Sequence, residues 1–231
     1  MEKLKYLSLV LVVAMCTGFV SCDPEPDPEP VQNQPMPGEN VAEEVDLGLS
    51  VKWASWNIGA NSPEDCGGYY AFGEIEEKEK YYFYNYAHSQ VSDYDTYVHT
   101  DLGDISGSQY DVASKRWGAT WRMPSREEME ELVNKCEWKW ISFKGVRGCK
   151  VVGPNGNSIF IPASGFKDDN NGGHKGTDCV FIMSSTPSKW MGSDGYVYVL
   201  FVDSDGCDPM VVGGTNLGYK ASGHCVRAVK N

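Results

Sequence analysis

The chain has 231 residues, and 32 acidic against 20 basic side chains leave it a net charge of −12. So acidic a molecule, with no basic patch in its sequence, is repelled by a phosphate backbone, which sets aside a nucleic-acid partner. The part after residue 44 is rich in Trp, Tyr and Gly, a composition that suits strands, loops and aromatic core pieces.

The N-terminus opens with Lys3 and Lys5, passes through the apolar stretch 7–15, in which only Ser8 is polar, and then turns to small residues. That order predicts a secretory signal over residues 1–21. The stretch falls short of the ~20 apolar residues that a membrane-spanning helix needs. Phe19-Val20-Ser21-Cys22 resembles a bacterial lipobox, so the expectation is cleavage before Cys22 and lipid on that cysteine. Each buried CH₂ contributes ~0.8 kcal/mol, so several acyl chains anchor a protein stably where one is marginal.

Residues 22–44 then read as a tether. Asp23-Pro24-Glu25-Pro26-Asp27-Pro28-Glu29-Pro30 alternates acid with proline and cannot form a helix, because proline lacks the N–H and restricts its neighbour. No Lys or Arg lies between Lys5 and Lys52, so the tether repels itself and stays extended. Acidic residues just behind the cysteine resemble a surface-export signal; a plain solubilising spacer is the alternative. The expected location is the outer membrane, with the domain facing the cell exterior.

Residues 45–231 form the expected domain. Alternation at Val51, Trp53 and Ser55 predicts a first strand, and Tyr69-Tyr70-Ala71-Phe72-Gly73 a second. Residues 74–107 are Tyr-rich and aperiodic, an irregular excursion with one short helix expected near 76–80. Ser125 and Glu128 make a capping box, and Met129, Leu132, Val133 and Cys136 follow as one apolar stripe, which predicts a helix over 126–135. A Lys-Gly turn joins strands at 138–142 and 148–152, and Asn155-Gly156 joins the latter to 158–161. The nearly all-apolar runs 179–183 and 196–202 read as buried central strands, and 225–229 as a closing strand. The fold class expected is α+β, mostly antiparallel strands with one or two short helices.

Cys66, Cys136, Cys149, Cys179, Cys207 and Cys225 remain in the domain. An even number in an oxidising compartment favours disulfides, and free buried thiols are the alternative. Hairpin flanks point to Cys136–Cys149 and Cys179–Cys207, with Cys66–Cys225 left over.

The segments Val45-Asp46-Leu47-Gly48-Leu49, Asn57-Ile58-Gly59-Ala60, Trp121-Arg122-Met123-Pro124, Gly156-Asn157-Ser158-Ile159-Phe160-Ile161-Pro162-Ala163 and Ser184-Ser185-Thr186-Pro187 together resemble the Fibrobacter succinogenes major paralogous domain family. That family is abundant in lipoproteins of gut Bacteroides. The chain departs from its pattern at Met183 and Ala228. The resemblance implies a C-type lectin-like fold with ligand contacts in the late loops, and function by fold remains analogy.

Catalytic patterns are absent from the sequence: His88, His99, His174 and His224 are scattered, and no Cys-x-x-Cys occurs. Asp168, Asp169 and Asp178 stand in an oxygen-rich loop that could take Ca²⁺, although a solvated loop explains it as well. Trp190, Asp194, Asn216 and Tyr219 combine aromatic faces with hydrogen-bonding groups in loops joining the central strands. The expectation is a non-catalytic recognition or adhesion domain for a glycan or protein ligand. A structural subunit of an envelope or fimbrial assembly is the alternative, and a cryptic enzyme a third reading.

Overall fold

The structure is a computed structural model of the chain, and it describes residues 34–91, 97–168, 173–184, 195–205, 207–215 and 218–231. The expected signal, Cys22 and residues 23–33 of the tether lie outside the described residues. So do Asp169, Trp190, Asp194 and Asn216. The remainder of the tether packs on the domain, with Ala42 buried and the Met36 N–H bonded to the Arg116 carbonyl at 2.8 Å. Among the described residues no helix is long and apolar enough to cross a membrane.

The domain is α+β and mostly antiparallel. Its strands are β1 (Glu44–Val45), β2 (Lys52–Ala54), β3 (Ser89–Val91), β4 (Tyr97–His99), β5 (Glu137–Phe143), β6 (Val146–Val152) and β7 (Ser158–Pro162). They continue with β8 (Phe166–Lys167), β9 (Asp178–Ile182), β10 (Tyr198–Asp203), β11 (Met210–Gly213), β12 (Gly223–His224) and β13 (Val229–Lys230). The helices are α1 (Val112–Trp117) and α2 (Arg126–Lys135). The strands make small sheets in the orders β1-β2-β13, β5-β6-β7 and β11-β10-β9, with β8–β12 and β3–β4 as separate pairs.

The β9–β11 sheet explains the two apolar runs. Cys179, Phe181, Leu200 and Val202 pack into one core with Trp53, Leu132 and Cys149. Val180, Val197 and Val199 face a second core with Tyr70, Phe72, Trp117 and Val226. Successive side chains of a strand point to opposite faces, so a sheet buried on both sides needs an unbroken apolar sequence. β10 is the central strand, as its composition predicts.

Helix α2 has the predicted bounds and the predicted start. Ser125 Oγ accepts from the Glu128 N–H at 3.2 Å, and Glu128 Oε2 accepts from the Ser125 N–H at 2.9 Å. Met129 and Leu132 are buried on its inner face. Arg122 donates to both oxygens of Glu128, at 2.7 and 2.5 Å, so the Trp-Arg-Met-Pro segment clamps the helix start. Substituting Ser125→Ala is expected to lower stability by about 1 kcal/mol, measured as a shift of the urea midpoint.

Turn chemistry fixes the β5–β6–β7 sheet. Lys144 and Gly145 both have positive φ, 48° and 85°, as a two-residue hairpin turn requires. Gly156, at φ 86°, closes the second hairpin, in which Val152 pairs with Ser158. A Cβ at Gly148 would stand 2.2 Å from the Ile161 carbonyl oxygen, so this strand position admits only glycine.

Other expectations change. Residues 76–80 are not helical; the excursion holds instead a 3₁₀ turn at Phe83–Asn85. The expected second strand at 69–73 is a single bridge, Tyr70 with His224. The expected closing strand shortens to Val229–Lys230, because residues 225–228 are buried irregular chain that caps the core through Ala54 N–H to Ala228 O and Ile58 N–H to Val226 O, each 3.0 Å. Helix α1, which no local pattern announces, is capped by Asp111.

Candidate functional site

The described surface carries an aromatic ridge centred on Tyr219. An antiparallel bridge pairs Tyr196 with Tyr219, and their rings stack at 5.0 Å with 24° between planes. Phe83 meets Tyr219 edge-on at 5.2 Å and touches His99 at 5.9 Å. Tyr82 stacks on Tyr84 at 4.7 Å, and Tyr84 is 66% exposed. Tyrosine offers an apolar face and a polar tip, which suits it to contact surfaces.

The 3₁₀ turn holds the ridge in shape. Asn85 Oδ1 accepts from the Tyr82 N–H at 3.0 Å, and Asn85 Nδ2 donates to the Lys80 carbonyl at 3.0 Å. Lys78 Nζ donates to the Asn85 carbonyl at 3.1 Å and pairs with Glu74 at 2.7 Å. Beneath, buried Tyr86 donates its hydroxyl to the Phe72 carbonyl at 2.7 Å. On the other side of the turn, Glu74, Lys78, Asn85, His88 and Tyr110 line a cleft of about 480 Å³.

Burial, together with the Tyr196 hydroxyl beside it, pushes the Tyr219 phenol upward, so that ring is uncharged at neutral pH. Among the four residues expected to bind ligand, Tyr219 is the one within the described residues, and it lies in this ridge. Tyr82, Phe83, Tyr84 and Tyr196 were not singled out from the sequence. The signal available was the density of tyrosine in an otherwise aperiodic stretch.

The Ca²⁺ expectation meets a different environment. Asp178 accepts from His174 Nδ1 at 2.5 Å and is buried. Lys167, His174 and Lys175 line a cavity of about 360 Å³ together with Tyr69 and Ser164. Among the described residues no three His, Cys, Asp or Glu side chains are grouped to hold a metal ion.

The six domain cysteines are free thiols in the structure, and their neighbours differ from those the hairpins suggested. Across the ladder Cys149 faces Trp140, four positions from Cys136. That is ~13 Å along the strand, against the ~4.4–6.8 Å between Cα atoms that a disulfide requires. Cys149 Sγ lies instead 3.3 Å from Cys207 Sγ. Cys179 sits opposite Val202 and donates toward the Ile161 carbonyl at 3.5 Å. Cys66 and Cys225 both lie against the Tyr69 hydroxyl.

Compared with protein-family models, with curated proteins and with solved structures, the chain returns no match. The functional reading therefore rests on the site.

Proposed function

We propose that this chain is a lipid-anchored, surface-displayed recognition protein that binds neutral glycan chains through the Tyr196–Tyr219–Phe83 ridge, without catalysis. The single observation that carries the reading is the ridge itself, stacked aromatic rings on one side of a turn whose other side presents the polar groups Glu74, Lys78 and Asn85. An aromatic face takes the C–H face of a sugar ring, and polar groups take its hydroxyls. The charge of −12 favours a neutral ligand over a polyanion. The export signal, the lipobox-like cysteine and the acidic tether support display at a membrane surface. The family resemblance and the antiparallel α+β architecture support a lectin-like fold.

The test is affinity electrophoresis or calorimetry against a panel of neutral polysaccharides. Tyr219→Ala is expected to weaken binding roughly ten-fold, about 1.4 kcal/mol, with an unchanged circular dichroism spectrum. Undiminished binding by a double Tyr196→Ala, Tyr219→Ala variant sinks the site.

A second reading, a subunit of an envelope assembly, draws on another feature. Ile141, Phe143 and Phe160 line an apolar cleft of about 410 Å³ on the β5–β7 sheet. Apolar clefts of this kind receive partner side chains. Co-purification of a stoichiometric envelope partner that is lost on Phe143→Asp would favour it.

A further inference from the structure

We propose that Cys149 and Cys207 are a modification site, a thiol pair placed to be oxidised to a disulfide by a protein disulfide donor, while Cys179 stays reduced beneath them. The two sulfurs stand 3.3 Å apart. Their supports differ. Cys149 is fully buried in β6, the middle strand of its sheet. Cys207 is half-buried in the turn that follows β10.

That turn is built to aim the thiol. Asp203 Oδ1 accepts from the Asp205 N–H at 2.9 Å, and the Cys207 N–H reaches back to the Asp203 carbonyl at 3.3 Å. Cys207 itself has φ 49°, a left-handed conformation that side chains with a Cβ rarely take. Such an outlier persists where the surroundings hold it, and here it turns the sulfur toward β6. Cys179 also approaches Cys149, but its S–H is directed to the Ile161 carbonyl. The bond would join two sheets across 58 residues of chain, where the strands supply no covalent link.

The reaction balances with a donor of the disulfide class. Cys207 releases its proton to solvent and its thiolate attacks one donor sulfur, while the other donor sulfur leaves as a thiolate. Cys149, likewise deprotonated, attacks Cys207 Sγ and expels the second donor sulfur. The protein loses two protons and two electrons, and the donor gains them as a dithiol. Burial pushes the Cys207 thiol up to about 12, and the contact with Cys179, followed by burial, pushes the Cys149 thiol higher still. Few thiolates exist in the native fold at neutral pH, so the exchange is slow once the pair is in place.

The test uses the full chain, refolded in a glutathione redox buffer, alkylated and digested without reduction. Mass spectrometry is expected to find the Cys149 and Cys207 peptides linked, two hydrogens lighter than their sum, and the link retained in Cys136→Ser. Thermal unfolding is expected at higher temperature without reductant than with it, a difference that Cys207→Ser removes. Alkylated Cys149 in the wild-type chain, or Cys149 linked to Cys136 or Cys179, overturns the proposal. The mapping needs no engineered variant, lipid or glycan, so its failure leaves the binding reading standing.

Discussion

Replacing Arg227 by alanine is expected to destabilise the domain by about 3–5 kcal/mol, read as a large fall in the urea midpoint. The side chain is 1% exposed, and its guanidinium is held by neutral oxygens. Its Nε donates to Asn57 Oδ1 at 2.7 Å, one terminal nitrogen to the Ala54 carbonyl and the other to the Phe160 carbonyl, each at 2.9 Å. Burial pulls its pKa down to about 9, so the group is still charged at neutral pH. Removing it leaves three buried acceptors without donors and a cavity between β2 and β7. Arg227→Lys keeps the charge but loses the planar fork, and is expected to recover only part of the stability. Arg227→Met, which restores volume alone, is expected to fall between alanine and lysine. A ranking in which alanine equals wild type would show that the three oxygens find other donors.

The second large effect is expected at Asp111. Its carboxylate is buried and accepts four backbone N–H groups. Oδ1 takes Ala113 and Ser114 at 2.8 and 3.2 Å, which caps α1, while Oδ2 takes Gly107 and Met123 at 2.7 and 2.9 Å. Burial raises the carboxyl pKa, and the four donors pull against that shift without cancelling it. Asp111→Ala is expected to cost about 3–4 kcal/mol, a lost cap plus two further orphaned donors. Asp111→Asn removes the charge yet is expected to be nearly as damaging. Its amide nitrogen must face one of two N–H pairs, so a donor meets donors whichever way it turns. Chemical denaturation of the three proteins side by side reads this directly. An asparagine variant close to wild type would mean that neither the charge nor the second acceptor oxygen is what the site requires.

These two residues show where sequence reading stops. Helix α2 is legible because its signals are local: Ser125, Glu128 and the Met129–Leu132 stripe lie within one or two turns. The hairpins are legible because Gly145 and Gly156 supply the required φ. β9 and β10 are legible because burial on both faces leaves no polar position to confuse the period. Helix α1 is only six residues long, and its cap draws meaning from Gly107 and Met123, which are not its sequence neighbours in any pattern. The cysteine neighbourhood fails for the same reason. Cys149 meets Cys207 because one sheet lies beside the turn of another, and hairpin spacing carries no information about sheet placement. The candidate site is half legible. Tyr219 follows from the position of its loop, whereas Phe83 reaches it from a distant 3₁₀ turn that composition marks only as rich in tyrosine.

The β1-β2-β13 sheet has a consequence for how the chain comes to be folded. β2, near the start of the domain, hydrogen-bonds to β13, and residues 225–228 complete the core beside it. A polypeptide delivered from its N-terminus, whether by a ribosome or through a translocation pore, therefore cannot finish this sheet until residue 230 has emerged. Contacts so distant in sequence form late and slowly. Until then Trp53 has no cover from Val229, and the early strands remain loose enough to thread. The architecture keeps its own lock for last, so the fold closes only when the whole domain is available.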